Sequence, residues 1–521
     1  MNLPTFDELY VLSDLHLGGD SGFQIFTSTE EAAALLAHLS RIKKSRVGLV
    51  INGDLVDFLA EQGARAFNPD QAESMLRRIA EDKAFAPVFA GLREFTAGEN
   101  HRLIINLGNH DIELALPWVR RVLLSLVAGS DGARGRVELA FEGTGYAACV
   151  GTARVLCLHG NEVDEWNVTD FEKLRLQGRD SLQGKAMAEE WRPNAGSRMV
   201  VEVMNGIKRV WPFVDLLKPE QEAVPPVLIA LDPALTTQLS GIAALLAVAK
   251  VDKAKMAAGF LSAPAATAEK TGPSLGEPPA PGADSAANPL MEAERRLRDT
   301  FFKNQAAATA ATRSPSPSSR ETPQVSDLLL RIEAEFDKDI PPVDLLAGDR
   351  EQQYLGTMSA AWSWLNGKDS IEVLRAALDG LLKDHSFDLD NEDSTFKKVD
   401  EKVGPGFDFV ITGHTHLERA RPRRHGSGFY YNVGTWVGLM KFTAEMLNSP
   451  EQFRSVFHRL AQRSIAALET EPSLVLRHNS FVKISRVSPN GPTLGELQRA
   501  QIRGENGLTM ETVPGSKHTI A

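Results

Sequence analysis

Five apolar segments of the sequence each end in side chains that can bind a metal ion. They end in Asp14 and His16, in Asp54 and Asp57, in Asn109, His110 and Asp111, in His159, and in His414 and His416. Oxygen and imidazole ligands without thiolate suit manganese, iron, zinc or magnesium better than a soft metal. One such motif would be weak evidence, but five in succession predict a metal site.

The chemistry that this ligand set favours is displacement at phosphorus. Two metal ions about 3.5–4 Å apart can clamp the attacking and leaving oxygens, and one carboxylate must then bridge them. Asp54 is the natural bridge. His414 and His416 are two residues apart at a strand end, so both imidazoles should lie on the same side.

The segments that position these residues alternate between strand and helix patterns. "ELYVLSD", "VGLVINGD" and "HRLIINLGN" are typical of strands, and "TEEAAALLAHLSRIKK" and "AESMLRRIAEDKAFAPVFAGLREFT" of helices. This alternation predicts a layered α/β domain, in which ligands gather beyond the carboxyl ends of strands. "VELAFEG" and "YAACVGTARVLCLHG" predict antiparallel strands that join the sheet.

The middle of the chain has a different character. We expect residues 1–167 to form the first part of the core, 168–400 a mostly helical, cap-like insertion, and 401–521 the core completion with the last metal motif and C-terminal strands. Disordered linkers are predicted near 262–289 and 306–324, where Ala, Pro, Ser and Gly dominate. Apolar residues at helical spacing in 199–218 predict one buried face, with a lipid- or substrate-facing role as the alternative.

Composition narrows the class of partner. The 521 residues carry a formal net charge of -11, which argues against general nucleic-acid or acidic-lipid binding. Cys149 and Cys157 are predicted to be small buried side chains in a reducing compartment. The N-terminus lacks a secretory pattern, so the cytoplasm is the expected location. Polar residues interrupt the apolar stretch 227–250, which predicts a buried or interfacial helix and no transmembrane span. Peripheral contact with a membrane is an alternative for this stretch.

The five motifs, with Gly53, Gly108 and Gly413, resemble the calcineurin-like metallophosphoesterase family over roughly residues 7–165 and 405–440. The resemblance implies an α-β-β-α sandwich and two divalent cations, with Mn²⁺ first and Fe, Zn or Mg as alternatives. It implies one metal held by Asp14, His16, Asp54 and His416. It implies a second metal held by Asp54, Asn109, His159 and His414. His110 would stabilise the transition state or protonate the leaving oxygen, and Asp57 would fix its imidazole.

The motifs also separate branches of that family. Phe58 follows Asp57, and Asp111 follows His110, whereas the Ser/Thr protein phosphatase branch has Arg and Glu there. The net acidity gives no support for the DNA-repair nuclease branch. The motifs look most like the bacterial branch containing UDP-2,3-diacylglucosamine diphosphatase, which implies a lipid-linked nucleotide-sugar as one alternative substrate. The insertion here is longer than that enzyme's cap, and Asn161 replaces its aspartate.

Arginines follow the last metal motif within a few residues. Arg419, Arg421 and Arg423 share one face if strand alternation holds, and guanidinium groups pair well with phosphate oxygens. They are predicted to bind the phosphorylated substrate, with a solvated hairpin as the alternative. The competing class for the whole protein is a non-catalytic metal-binding scaffold on the same fold.

Overall fold

The computed structural model describes residues 3–218 except 21, 44 and 186–192, a few residues within 223–231, and residues 370–520 except 379–383, 472, 489–490 and 505–506. All of them belong to one compact unit, Met1–Asp232 with Gln352–Ala521. The predicted linkers near 262–289 and 306–324, and most of 227–250, lie outside the described residues.

Strands and helices alternate through the first half of the described chain. The strands are β1 (Thr5–Phe6), β2 (Glu8–Leu12), β3 (Val47–Asn52), β4 (His101–Asn106), β5 (Val137–Ala140), β6 (Tyr146–Val150), β7 (Ala153–Cys157), β8 (Phe409–Thr412), β9 (Arg419–Pro422), β10 (Phe429–Asn432), β11 (Leu439–Met440), β12 (Val475–Leu476), β13 (Ser480–Arg486), β14 (Thr493–Ile502), β15 (Leu508–Thr512) and β16 (His518–Ile520).

The helices complete the layers. They are α1 (Thr29–Ser40), α2 (Ala72–Glu81), α3 (Ala86–Ala97), α4 (Pro117–Val127), α5 (Asp131–Arg134), α6 (Phe171–Leu182), α7 (Ala195–Met199), α8 (Asn205–Lys208), α9 (Ser370–Leu378), α10 (Ser394–Lys402), α11 (Ala444–Asn448), α12 (Pro450–Ala461) and α13 (Ile465–Glu469). Short 3-10 helices lie at Phe58–Ala60, Ile112–Ala115, Asn161–Val163 and Pro212–Leu216, and a π-helical turn at Val200–Met204.

Two large sheets form the centre of the unit. One has the order β15-β14-β13-β2-β3-β4-β5, with β16 also paired to β14, and its strands β2 to β5 are parallel. The other has the order β1-β6-β7-β8-β10-β9, in which β7, β8 and β10 are parallel. The carboxyl ends of these parallel strands carry the predicted metal motifs.

Side-chain alternation along β3 explains the layering. Val50 packs between the two sheets with β8 residues such as Phe409, whereas Leu49 faces the helices and packs with residues such as Leu35 and Leu92 of α1 and α3. Because both faces of this sheet are covered, β3 is buried along its whole length, as expected for a parallel strand.

A second helical layer covers the other sheet. Phe396 and Val399 of α10 pack on Val410 and Tyr430, which project from the outer face of β8 and β10. With α1 to α4 on the opposite side, the order of layers is α-β-β-α. The predicted α-β-β-α sandwich is therefore confirmed, whereas most of the predicted helical insertion lies outside the described residues.

Three local predictions need correction. The hairpin β6–β7 belongs to the second sheet and does not extend the first, where β5 pairs parallel with β4. The predicted helical stretch from Ala72 breaks into α2 and α3, because Asp82 caps the turn by accepting from Ala84 N at 2.8 Å. The stretch 199–218 is not one helix either, since the π-helical turn and Pro212 interrupt it.

Other predictions can be compared directly. Both cysteines are free; Cys157 is buried, whereas Cys149 is only partly buried. Across the described ranges, no helix is both long and apolar enough to cross a bilayer. Ile207, Trp211 and Val214 are buried, so the apolar face of 199–218 does pack against the protein.

Candidate metal centre

The predicted ligands lie in loops at the carboxyl ends of strands from both sheets. Asp14 and His16 follow β2, Asp54 follows β3 and Asn109 follows β4, whereas His159 follows β7, and His414 and His416 follow β8. Two sheets therefore contribute to one site. Asp14, His16, Asp54, Asn109 and His159 are almost completely buried.

The backbone at these loops is unusual. Asp14, His16, Asp54, His414 and His416 all have positive φ, between 49° and 69°. Non-glycine residues rarely adopt this left-handed conformation, and those that do cluster at functional sites. The backbone strain is therefore concentrated at five of the predicted ligand residues.

Three motif glycines make the close packing possible. A side chain at Gly53 would collide with the His159 ring, and one at Gly108 with Asp54. A side chain at Gly413 would collide with Ser13 and Asp14. Glycine is therefore needed where one ligand loop passes another.

One group of ligand atoms surrounds a first point. His16 Nε2 lies 3.0 Å from His416 Nε2, 3.6 Å from Asp54 Oδ2 and 3.9 Å from Asp14 Oδ1, and His416 Nε2 lies 3.4 Å from Asp14 Oδ1. Metal–ligand bonds of about 2.1 Å place neighbouring ligands roughly 3 Å apart. Four side chains thus have the spacing of a coordination sphere.

A second group shares Asp54 with the first. His159 Nε2 lies 3.3 Å from Asp54 Oδ2, and Asp14, Asp54 and His159 together could hold a cation. His159 Nδ1 lies 2.7 Å from the carbonyl oxygen of Asn52 and donates to it. That bond leaves Nε2 as the nitrogen with the free lone pair, which is how proteins commonly orient a ligand histidine.

Asn109 and His414 are the two remaining residues that were predicted to bind the second cation. The Oδ1 atom of Asn109 is buried and accepts no hydrogen bond from the described residues. Burying such an oxygen is costly unless a cation binds it in place of a hydrogen-bond donor. His414 Nε2 is bonded to Asp164 Oδ2 at 2.7 Å, and its ring lies 5.4 Å from that of His159. Nδ1 is therefore the nitrogen of His414 that can bind a metal. The residues fit a pair of divalent cations that share Asp54.

His110 and Asp57 lie beside the ligand groups as a hydrogen-bonded pair. His110 Nδ1 is 3.0 Å from Asp57 Oδ1, and Asp57 Oδ2 is 3.3 Å from His16 Nδ1. Burial by itself lowers the pKa of His110, but the carboxylates of Asp57 and Asp54 raise it to about 9. A protonated imidazole with its Nε2 directed away from Asp57 can donate a proton or stabilise negative charge.

Asp111 supports the motif loops through hydrogen bonds to their backbone. Its Oδ1 accepts from Gly108 N at 2.7 Å and its Oδ2 from Leu55 N at 2.9 Å, so it joins the second and third motif loops. Burial and the nearby Asp54 raise its pKa to about 8.

The motif reading missed two residues that position the second group. Asp164 accepts from the His414 ring, and Asn167 donates from Nδ2 to Asp164 Oδ2 at 2.8 Å. Asn109 Nδ2 in turn approaches Asn167 Oδ1 at 3.4 Å. A chain of hydrogen bonds therefore connects His414 to Asn109. The only sequence signal was an acidic residue five positions after His159.

The three arginines predicted to bind substrate make contacts inside the fold. Each guanidinium pairs with a carboxylate of 392–400, the segment that contains most of α10. In chain order, the pairs are Arg419 with Asp393, Arg421 with Glu392, and Arg423 with Asp400. All three contact the same segment, so the predicted common face is real. These contacts fasten α10 to the last hairpin, and substrate binding by the arginines stays a prediction that they do not support.

Comparison with known proteins agrees with the geometry. Residues 8–208 match the sequence model of the calcineurin-like phosphoesterase family, a range that includes the first four motifs and the helices up to α8. Over this range the chain is similar to calcineurin-like phosphoesterases, and the grouped aspartate and histidine side chains are consistent with metal-dependent hydrolysis of phosphoesters. No curated protein matches the chain.

Proposed function

We propose that this protein hydrolyses a phosphate ester or a diphosphate with water activated between two divalent cations. The observation that carries the proposal is the pair of ligand groups meeting at Asp54, with His16 and His159 on either side at 3.6 and 3.3 Å. Two bound cations would supply a water of lowered pKa and neutralise charge on phosphoryl oxygens. Oxygen and imidazole donors suit Mn²⁺ as well as Fe, Zn or Mg, and Mn²⁺ is the cation we propose to test first.

The protein's own residues then have distinct tasks. Asp14, His16, Asp54 and His416 would hold one cation, and Asp54, Asn109, His159 and His414 would hold the other. His110 donates a proton to the leaving oxygen or stabilises charge on the phosphoryl group. Asp57 holds the His110 ring at 3.0 Å and stabilises its charged form.

Two alternatives receive less support. A lipid-linked nucleotide-sugar substrate would use the apolar face of 199–218, but Trp211, Val214 and Leu217 of that face are buried in the protein. A non-catalytic scaffold would require no complete ligand set, yet all seven proposed ligand positions carry side chains that can bind a metal.

The test is an assay of purified protein with Mn²⁺ and an aryl phosphate or aryl phosphodiester. Asp54→Asn should lower turnover by about 10³-fold, because several kcal/mol of barrier depend on the bridging carboxylate. Asp170→Asn is the matched control, since Asp170 caps α6 through Lys173 N and asparagine caps helices equally well. Equal turnover in all three proteins would refute the proposal.

A further inference from the structure

Two neighbouring parallel strands of the first sheet both end in an asparagine. Asn52 ends β3 and Asn106 ends β4, and the two residues are partners in the register of the sheet. Asn52 shares its face of the sheet with Val50, and Asn106 shares its face with Ile104, because side chains alternate along a strand. Val50 and Ile104 pack between the two sheets, so both amide groups are buried in that space as well.

Hydrogen bonds from these amides connect the first sheet to the second. Asn106 Nδ2 donates to Asn52 Oδ1 at 2.7 Å and to the carbonyl oxygen of Cys157 at 3.3 Å. Asn52 Nδ2 donates to the carbonyl oxygen of Leu158 at 2.6 Å. Cys157 is the last residue of β7, and Leu158 directly precedes His159. The two amides therefore hold the start of the loop that carries the fourth motif.

Asn52 also contacts His159 itself. The carbonyl oxygen of Asn52 accepts from His159 Nδ1 at 2.7 Å, while its side chain holds the carbonyl group of Leu158. One residue thus fixes both the backbone before His159 and the orientation of the His159 ring. In this orientation His159 Nε2 lies 3.3 Å from Asp54 Oδ2.

The asparagine pair carries an energetic cost. Asn106 Oδ1 is buried, and no donor in the part of the chain that the structure describes reaches it. A buried oxygen without a hydrogen bond is destabilising, and two apolar side chains of similar shape could fill the same space without that cost. Stability alone therefore does not account for two amides at this place.

We propose that Asn52 and Asn106 are positioning residues for the second cation, which hold His159 Nε2 toward Asp54 without touching the cation or the substrate. This inference rests on the proposed function. Across the described residues, the hydrogen bonds of the two amides go only to each other and to the backbone just before His159. Their loss should therefore weaken the cation site that contains His159 more than the site that contains His16.

The test is calorimetric titration of metal-free protein with Mn²⁺, together with denaturant unfolding of each variant. Asn52→Leu should weaken one of two Mn²⁺ sites by about 10–100-fold, the range typical of residues that orient a ligand, and leave the other site as in wild type. It should also lower the stability of the fold, because Asn106 loses its acceptor. Asn100→Leu is the matched control, since Asn100 Nδ2 donates to the carbonyl oxygen of Lys43 at 3.0 Å but lies just before β4, at the opposite end of that strand.

A double variant separates positioning from a purely structural role. In Asn52→Leu combined with Asn106→Leu, both hydrogen-bonding partners are replaced by apolar groups of similar shape. Stability should therefore recover, while the weakened Mn²⁺ site stays weak. Recovery of Mn²⁺ affinity together with stability would overturn the positioning role. Asn52→Ala adds no bulk between the sheets and should weaken the same site, so the test remains decisive if leucine is not accommodated.

The outcomes also distinguish this positioning role from the proposed function. Wild-type protein that binds fewer than two Mn²⁺ ions would overturn the proposed pair of cations and the positioning role with it. Two wild-type sites that keep their affinities in Asn52→Leu, in Asn52→Ala and in the double variant would overturn the positioning role alone.

Discussion

The stretch 414–424 contains a pair of histidines and a group of arginines, and the two sets of side chains have different surroundings. His414 and His416 turn toward the ligand groups with φ of 69° and 63°, a conformation that costs energy. Arg419 and Arg423, a few residues later, are buried in ion pairs with the segment around α10. Proximity along the chain to a metal motif therefore does not assign a function to a charged residue.

The difference lies in what surrounds each side chain. The His416 ring faces other proposed ligands, with His16 Nε2 at 3.0 Å and Asp14 Oδ1 at 3.4 Å from its Nε2, whereas Asp164 Oδ2 holds His414 Nε2 at 2.7 Å. The Arg423 guanidinium instead has Asp400 Oδ1 at 2.8 Å and the carbonyl oxygens of Gly404 and Phe407 at 3.1 and 3.2 Å. A guanidinium whose hydrogen bonds are all made within the fold stabilises that fold, whereas a cluster of buried carboxylate and imidazole groups with metal-ligand spacing indicates chemistry.

The largest effect is expected at His110, which forms the proposed catalytic pair with Asp57. His110→Ala should lower kcat by about 10²–10⁴-fold, the range typical of a general acid or base. Binding of Mn²⁺ should persist, because His110 is not among the proposed ligands. Steady-state kinetics with metal analysis measures both quantities, and an unchanged kcat would remove His110 from the mechanism.

A smaller effect is expected one contact away from a ligand. Asp164→Asn should weaken binding of one of two Mn²⁺ ions by about 10–100-fold, because the acceptor that orients His414 is weakened. Calorimetric titration with Mn²⁺ should resolve a strong and a weakened site. Asp170→Asn serves again as control, and two unaltered sites in Asp164→Asn would show that Asp164 does not position His414.

Substitution of the buried arginines should change the stability of the fold. Arg423→Met should lower the free energy of unfolding by about 3–5 kcal/mol, because it leaves the buried Asp400 carboxylate without its partner. Arg424→Met should cost at most about 1 kcal/mol, since Arg424 is 56% exposed. Denaturant unfolding compares the variants. A tenfold rise in KM for folded Arg423→Met would instead support the predicted substrate-binding role.

Glu418 lies between the two histidines and the arginines in the sequence. Its substitution gives the smallest expected effect, a change in how the free energy of unfolding depends on pH. Burial raises its pKa, but hydrogen bonds from Arg499 and His478 lower it to about 2. Because the folded-state pKa lies below the usual value of 4.5, Glu418 stabilises the fold above about pH 4.5. This stability is lost as the pH falls toward 2.

Glu418→Gln should therefore flatten the loss of unfolding free energy between about pH 5 and pH 3. Glu73 forms an exposed ion pair with Arg77, so Glu73→Gln should leave the dependence of the unfolding free energy on pH as it is in wild type. Denaturant unfolding at several pH values measures this dependence. The same pH dependence in wild type and in Glu418→Gln would contradict a stabilising role for the Glu418 carboxylate.

The same contrast explains what could be predicted from the sequence. Each metal ligand belongs to a short motif at the end of an apolar strand, so the signal is local. The order of motifs and the strand pattern then predict the fold. The partners of the arginines come from residues 392–400, and only the packing of α10 on β8 and β10 brings them close. No local pattern contains that information.

Two further cases have the same physical cause. Asp164 positions His414 across 250 residues of sequence, a contact that depends on two loops meeting in space. For 199–218, hydrophobic periodicity predicted the burial of Ile207 and Trp211, but periodicity takes no account of Pro212, which breaks the helix locally.

The central claim is that two cations sharing Asp54 carry out hydrolysis. The most direct measurement is turnover of an aryl phosphodiester by metal-free protein as Mn²⁺ is added in known equivalents. Turnover should rise until about two equivalents are bound and stay near background in Asp54→Asn. Full turnover at one equivalent, or turnover independent of Mn²⁺ and of Asp54, would contradict the account.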